Sequence, residues 1–180
     1  GGIYSLPFES KGWGVWVNND MFAAAGIQVP TTISEFIDVC EAFKAAGQEP
    51  LATGYAAAWY IGQSVTYGVT SFVVPWIQEN REAYNAGEFT FDTEEFRVLA
   101  DMLKAIRTYA PAQAADLDGD TCVAAFANGE FPMLLAGEWS VGLARSTNPD
   151  LNGTIYPLPV SDDPNDTYFP ASYGDVHFNA

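Results

Sequence analysis

Three tryptophans carry the first indication of chemistry. Trp13, Trp59 and Trp139 each fall just after a predicted strand or at a helix start, beside glycines and polar residues. An indole in such a place offers a flat apolar face next to hydrogen-bonding groups. That combination suits a sugar ring, which shows apolar C–H faces and outward hydroxyls. Such rings are bound by aromatic stacking together with carboxylate and amide hydrogen bonds. A tryptophan is equally a large core residue, so for each of the three both readings stand. Trp16 and Trp76 lie inside apolar runs and read as core.

Other constellations are weaker. Glu9, Glu138 and Asp175 could supply the two carboxylates of a glycosidase, although an acidic chain offers many such pairs. No G-x-S-x-G elbow is present, and His177 is the only histidine. Neither G-x-G-x-x-G nor G-x-x-x-x-G-K occurs, so no phosphate loop is expected. Asp116-Leu-Asp118-Gly-Asp120 resembles the opening of a calcium loop. An EF-hand, however, needs Gly at its sixth position and Glu at its twelfth. Those places hold Thr121 and Ala127, so the segment reads as a solvated loop capping a helix. Asn152-Gly-Thr154 and Asn165-Asp-Thr167 fit the glycosylation sequon, a short pattern that recurs by chance. Cys40 and Cys122 are either two small buried apolar residues or a disulfide. Two isolated thiols without histidine neighbours do not make a metal site, and no cofactor is called for.

Length and charge bound the rest. The 180 residues suffice for one domain with a real core, and 48 % hydrophobic residues place the chain in the globular class. Seven Lys and Arg against 23 Asp and Glu give a net charge of −16. That balance repels nucleic acid and anionic membrane surfaces, so neither is an expected partner. No apolar run reaches the length of a membrane helix, and no signal peptide is visible. The chain does not open on Met, which reads as a processed or excised piece with any targeting signal outside it.

The elements that would position the tryptophans follow from pattern. Ile3 to Leu6 and Gly14 to Asn18 read as two strands separated by the polar loop Glu9 to Gly12. Asn19-Asp20 can cap a short helix that stops at Gly26. Thr32 and Glu35 fit a capping box, opening a helix to about Ala46. Its apolar positions Ile33, Phe36, Ile37, Cys40 and Phe43 follow the helical period. Leu51 to Thr53 is a weak strand. Trp59 to about Ile77 reads as a buried helix that Pro75 breaks or follows with a turn. Asn80 to Gly87 suits a short helix. Asp92-Thr93 would cap a helix carrying Phe96, Leu99, Leu103 and Ile106 on one stripe. Asp120 or Thr121 starts the next helix, which Gly129 stops. Phe131 to Ala136 is a continuous apolar run, as in a strand covered on both faces. Trp139 then falls at its carboxyl end, where open α/β sheets bind ligands. Thr154 to Leu158 and Val176 to Phe178 are further strands. Strands alternating with helices predict an α/β layered domain.

Two long segments resemble a known family. YSLPF followed by WGVWVNNDMFAAAGIQVPTTISEFIDVCEAFKAAGQEP is similar to the signature region of family 1 extracellular solute-binding proteins. These are the maltose-binding-protein-like, carbohydrate-binding components of ABC importers. AFANGEFPMLLAGEWSV resembles the family pattern at Phe126, Gly129, Met133, Gly137 and Trp139, and YPLPVSDDP its Pro-rich continuation. Val17 stands where the family has Tyr, and Ile33 where it has Trp.

The resemblance implies one lobe of a two-lobe, type II periplasmic-binding-protein-like fold, with a mixed sheet flanked by helices. Residues 1–180 would be a single α/β domain, most of the C-terminal lobe. The N-terminal lobe and the final helices would lie outside it. It further implies that Trp139 stacks on the sugar and that Trp59, with Tyr60 beside it, supplies a second aromatic. The segment Glu9 to Trp13, including Ser10, would reach the ligand, and Tyr173-Gly174-Asp175 would line the cleft near the hinge. Glu138, Ser10 and Asp175 are the implied hydroxyl acceptors. The implied function is capture of a mono- or oligosaccharide for an ABC permease, outside the cell or in the periplasm. Membrane attachment would come only through an anchor outside this chain, as in a lipoprotein. A carbohydrate-active enzyme fragment and a structural surface domain without a soluble ligand are the alternatives.

Overall fold

The computed structural model describes residues 5–60, 74–88, 90–166 and 171–177. At 5–11, 74, 75, 95, 166 and 171–177 it describes the backbone alone. The sheet is built around β1 (Ser5–Asn18), which pairs antiparallel with β3 (Met133–Gly137) and β4 (Gly153–Tyr156). The two-residue strand β2 (Leu51–Ala52) pairs parallel to β3, which makes the sheet mixed, in the order β2-β3-β1-β4. β5 (Ala171–His177) pairs antiparallel with the first half of β1.

Strand alternation sorts side chains to two faces. Trp13, Val15, Val17, Leu51, Met133 and Leu135 enter one core, and Trp16, Ala52, Leu134 and Ala136 enter the other. Helices α1 (Asn19–Ala25), α2 (Ile33–Ala45) and α5 (Glu94–Tyr109) cover the first face. Helices α6 (Gly119–Ala127) and α7 (Val141–Thr147) cover the second. This is the expected α/β layering. The continuous burial of β3 explains its unbroken apolar run.

Local signals set most helix ends. Thr32 accepts from the Glu35 amide, and the Glu35 side chain reaches back to the Thr32 amide, completing the capping box. Gly26 and Gly129 take positive φ values of 67° and 78° at their helix stops. Two short helices, α3 (Val74–Glu79) and α4 (Arg81–Ala86), precede α5. Pro75 sits in the first turn of α3, where its missing N–H costs little. The rest of the predicted Trp59–Ile77 helix, residues 61–73, lies outside the described residues, as does Phe178.

Two expectations change, and one open alternative is decided. The predicted loop Glu9 to Gly12 is strand: β1 is continuous over 14 residues because β5 pairs with it from Ser5 to Gly12. A register shift between Pro7 and Glu9 accommodates the proline, which has no amide to donate. The caps of α1 and α6 are Asn18 and Asp118, one or two residues earlier than the pattern suggested. Cys40 and Cys122 are not joined. Both are free and buried, and they lie in the two different cores, separated by the sheet. Burial pushes each thiol up to about 12, so both remain protonated, inert apolar residues.

Candidate functional site

Because β2 and β3 run parallel, the segments that follow them leave the sheet at one edge. After β2 the chain passes Thr53 and Gly54. A side chain at Gly54 would lie 2.1 Å from the Leu117 carbonyl oxygen, so glycine is what lets the two loops touch. Tyr55 and Ala56 then donate to the carbonyls of Ala114 and Leu117 at 2.6 and 3.0 Å. This ladder brings Trp59 and Tyr60 onto the first turn of α6. The Trp59 and Tyr60 rings come within 3.2 Å of where a Gly119 Cβ would stand. Asp118 holds that turn by accepting from the Thr121 amide at 2.8 Å. Trp59 is 53 % exposed, and its ring meets Tyr60 edge-on, with centroids 5.5 Å apart.

After β3 the chain enters a 3-10 turn, Glu138–Ser140. The Trp139 ring folds back over Gly137 so closely that a Cβ there would lie 1.8 Å from its Cζ3 atom. Only glycine fits. The Gly137 carbonyl accepts from Ser140 Oγ at 2.7 Å and from Trp16 Nε1 at 3.4 Å. Trp139 remains 37 % exposed, and Glu138 beside it is exposed. Neither the two loops nor the turn carries a Lys or Arg, whereas Asp116, Asp118, Asp120 and Glu138 lie along them.

The other predicted residues are placed differently. Trp13 pairs across the sheet with Gly137, at the same edge, but is only 1 % exposed and offers no face to a ligand. Tyr60 is 2 % exposed and donates its hydroxyl to the Leu135 carbonyl. Burial, seconded by the Cys122 thiol, holds that phenol well above the usual tyrosine range, so it stays a donor. Ser10 and Tyr173 face each other in the β1–β5 ladder, with Asp175 opposite Pro7. Trp13 opposes the last residue of β3, so this ladder continues beyond the edge that bears Trp139. The side chains of Ser10, Tyr173 and Asp175 lie outside the described residues.

Sequence pattern alone missed Gly119 as the seat of Trp59 and Ser140 as a donor to Gly137. The available signals were the D-G-D run and a serine one turn past a strand end. Three concavities among the described residues lie elsewhere: beside Pro30 and Asp38, between α2 and α5, and beside Asn128 and Asn152.

The fold has many solved counterparts. The chain superposes on apo RafE from Streptococcus pneumoniae with TM-score 0.73 and 19 % identity, covering 96 % of this chain and 45 % of that one. A chitin oligosaccharide binding protein gives TM-score 0.75 and 23 % identity, covering 96 % and 44 %. A sugar transporter from Bacillus licheniformis in complex with stachyose gives 0.73 and 16 %, covering 97 % and 47 %. The chain thus spans less than half the length of the solved structures it matches. No curated protein sequence matches it significantly. The family model for bacterial extracellular solute-binding proteins matches residues 1–176. With that match over nearly its whole length, the chain belongs to the bacterial extracellular solute-binding protein family.

Proposed function

We propose that the chain is most of the C-terminal lobe of a carbohydrate-binding protein that serves an ABC importer. The carrying observation is that Trp59 and Trp139 are both exposed at the carboxyl edge of β2 and β3, each seated against a glycine. Exposed apolar surface gathered in one place is a common mark of an interaction site. Solved counterparts include RafE in complex with raffinose and a transporter in complex with stachyose.

The sugar stacks on the two indoles, and Glu138, Ser10 and Asp175 accept from its hydroxyls. Trp13 and Tyr60 act as the packed wall behind. A second lobe closes over the ligand, so this edge supplies one side of the site. The lobe captures and delivers its sugar without chemistry. It works outside the cell or in the periplasm, with permease subunits as partners and any lipid anchor outside this chain.

Titration of the complete natural chain with raffinose, stachyose, and chitin and xylan oligosaccharides, followed by calorimetry and tryptophan fluorescence, tests this. At least one should bind with a change in indole emission. Absence of binding across the set removes the proposal.

A further inference from the structure

Strand β3 outruns its parallel neighbour. β2 ends at Ala52, opposite Leu134, so the last three residues of β3 have no β2 partner. Successive backbone carbonyls of a strand point to opposite sides in the plane of the sheet. The Asn18 amide donates to the Pro132 carbonyl, so the Leu134 and Ala136 carbonyls turn toward β1. Those of Leu135 and Gly137 turn the other way, to the side that β2 has left. A buried carbonyl must find a donor. Tyr60 provides it for Leu135, and at Gly137, where the 3-10 turn already brings the Ser140 amide, Ser140 Oγ and Trp16 Nε1 add to it.

Each hydroxyl donor adjoins an exposed indole in sequence. Tyr60 follows Trp59 and meets its ring edge-on, and Ser140 follows Trp139, whose ring lies on Gly137 itself. The two carbonyls are two residues apart on one strand, roughly 7 Å. The geometry points to Tyr60 and Ser140 as positioning residues. By bonding the Leu135 and Gly137 carbonyls on the side that β2 has left, they fix the two indole faces relative to each other before a ligand arrives. The inference rests on the reading of this edge as the saccharide site. A stacking surface set in advance spares the ligand the cost of ordering two large side chains.

A hydroxyl that only satisfied a buried carbonyl would affect stability and nothing else. The test is therefore a thermodynamic cycle in the complete natural chain, using the tightest binder among raffinose, stachyose, and chitin and xylan oligosaccharides. Ser140→Ala should weaken binding about 3- to 10-fold, the scale of one lost hydrogen bond. It should also alter the tryptophan bands of the near-ultraviolet circular dichroism. Ser140→Thr, which keeps the hydroxyl, should restore both. In a Trp139→Ala background, Ser140→Ala should change the affinity no further, because its effect passes through the missing ring. Tyr60→Phe should behave in the same way toward Trp59. If that variant does not fold, the Ser140 series decides alone.

Wild-type affinity and an unchanged tryptophan spectrum in Ser140→Ala overturn the inference and leave the saccharide site intact. Additive losses in the Trp139→Ala background do so too. A wild-type chain that binds no member of the set overturns the site and this inference together.

Discussion

At its amino end β3 meets a polar network closed on itself, whereas at its carboxyl end it meets aromatic rings left open. The amino end is surrounded by Asn18, Asn19, Asp20, Asn148 and Asn152, which bond one another or nearby backbone. Asn19 donates to Asn152 and Thr154, Asn152 donates to Asp20, and Asn148 donates to the Ala127 carbonyl. Amide and carboxylate groups at this end are thus engaged within the fold. At the other end the backbone carbonyls are equally satisfied, but Trp59 and Trp139 stay partly exposed. Polarity by itself therefore does not mark a binding edge here. Under the proposed function the open aromatic surface on a satisfied backbone does.

The comparison breaks most visibly if the aromatic end can be altered without loss of binding. Trp139→Ala should weaken the tightest saccharide about 10- to 100-fold, the range of a buried aromatic anchor in a complex. Its melting temperature should stay close to wild type, since the ring is partly exposed already. An unchanged affinity measured by calorimetry would end the assignment of this edge. Gly137→Ala attacks the same ring from below. The added methyl falls inside the Trp139 ring, so the indole must move. Affinity should fall with a stability loss of about 1–3 kcal/mol, the usual cost of overpacking. Retained affinity there would show that the ring's seat on Gly137 is irrelevant to binding.

The amino end should give the opposite pattern. Asn18 is 7 % exposed and caps α1 by accepting from the Met21 amide at 3.1 Å. Asn18→Ala should cost about 0.5–2 kcal/mol in denaturant unfolding, the range for a lost helix cap. Saccharide affinity should stay within about two-fold, since the network touches neither tryptophan. A larger loss of affinity would mean that the two ends of β3 communicate.

The same contrast shows how far the sequence could be read. Thr32 and Glu35 lie within one helical turn, so their capping box was visible locally, and so was the continuous apolar run of β3. β1 was not readable as one strand, because its partner β5 lies at the far end of the chain and no local pattern announces that pairing. Trp13 and Trp139 show the limit most clearly. Both are tryptophans at the same sheet edge, yet one is sealed in the core and the other is open. Trp13 lies within β1, paired with β3, whereas Trp139 lies in the turn just past the end of β3. The cysteines stayed open between two readings for a related reason: helix periodicity buries both, but the sheet that lies between them is a tertiary fact.

The smallest effect concerns the helix that carries the seat of Trp59. The backbone hydrogen bond from Thr121, followed by its side chain, holds the Asp118 carboxyl below the usual aspartate range. A depressed folded-state pKa means that the carboxylate's contribution is present above the unfolded aspartate range. It is lost as pH falls through the lower folded value. Asp118 is exposed, so the loss in global stability should be slight. Its neighbour Gly119, however, lies directly under the Trp59 ring, which makes indole emission the sensitive readout. Acid titration of the chain should therefore show a small emission change below the ordinary carboxylate range. Asp118→Asn keeps a good cap but cannot ionise, so that step should vanish while emission near neutrality stays at the wild-type value. The capping carboxylate Glu35 is also depressed, chiefly by the Thr31 amide, and titrates with the same sign, but on α2, which covers the sheet face opposite to α6. Glu35→Gln should leave the emission step in place. If the step instead survives Asp118→Asn and disappears in Glu35→Gln, Trp59 is not held by the first turn of α6, and the two aromatic seats lose their equivalence.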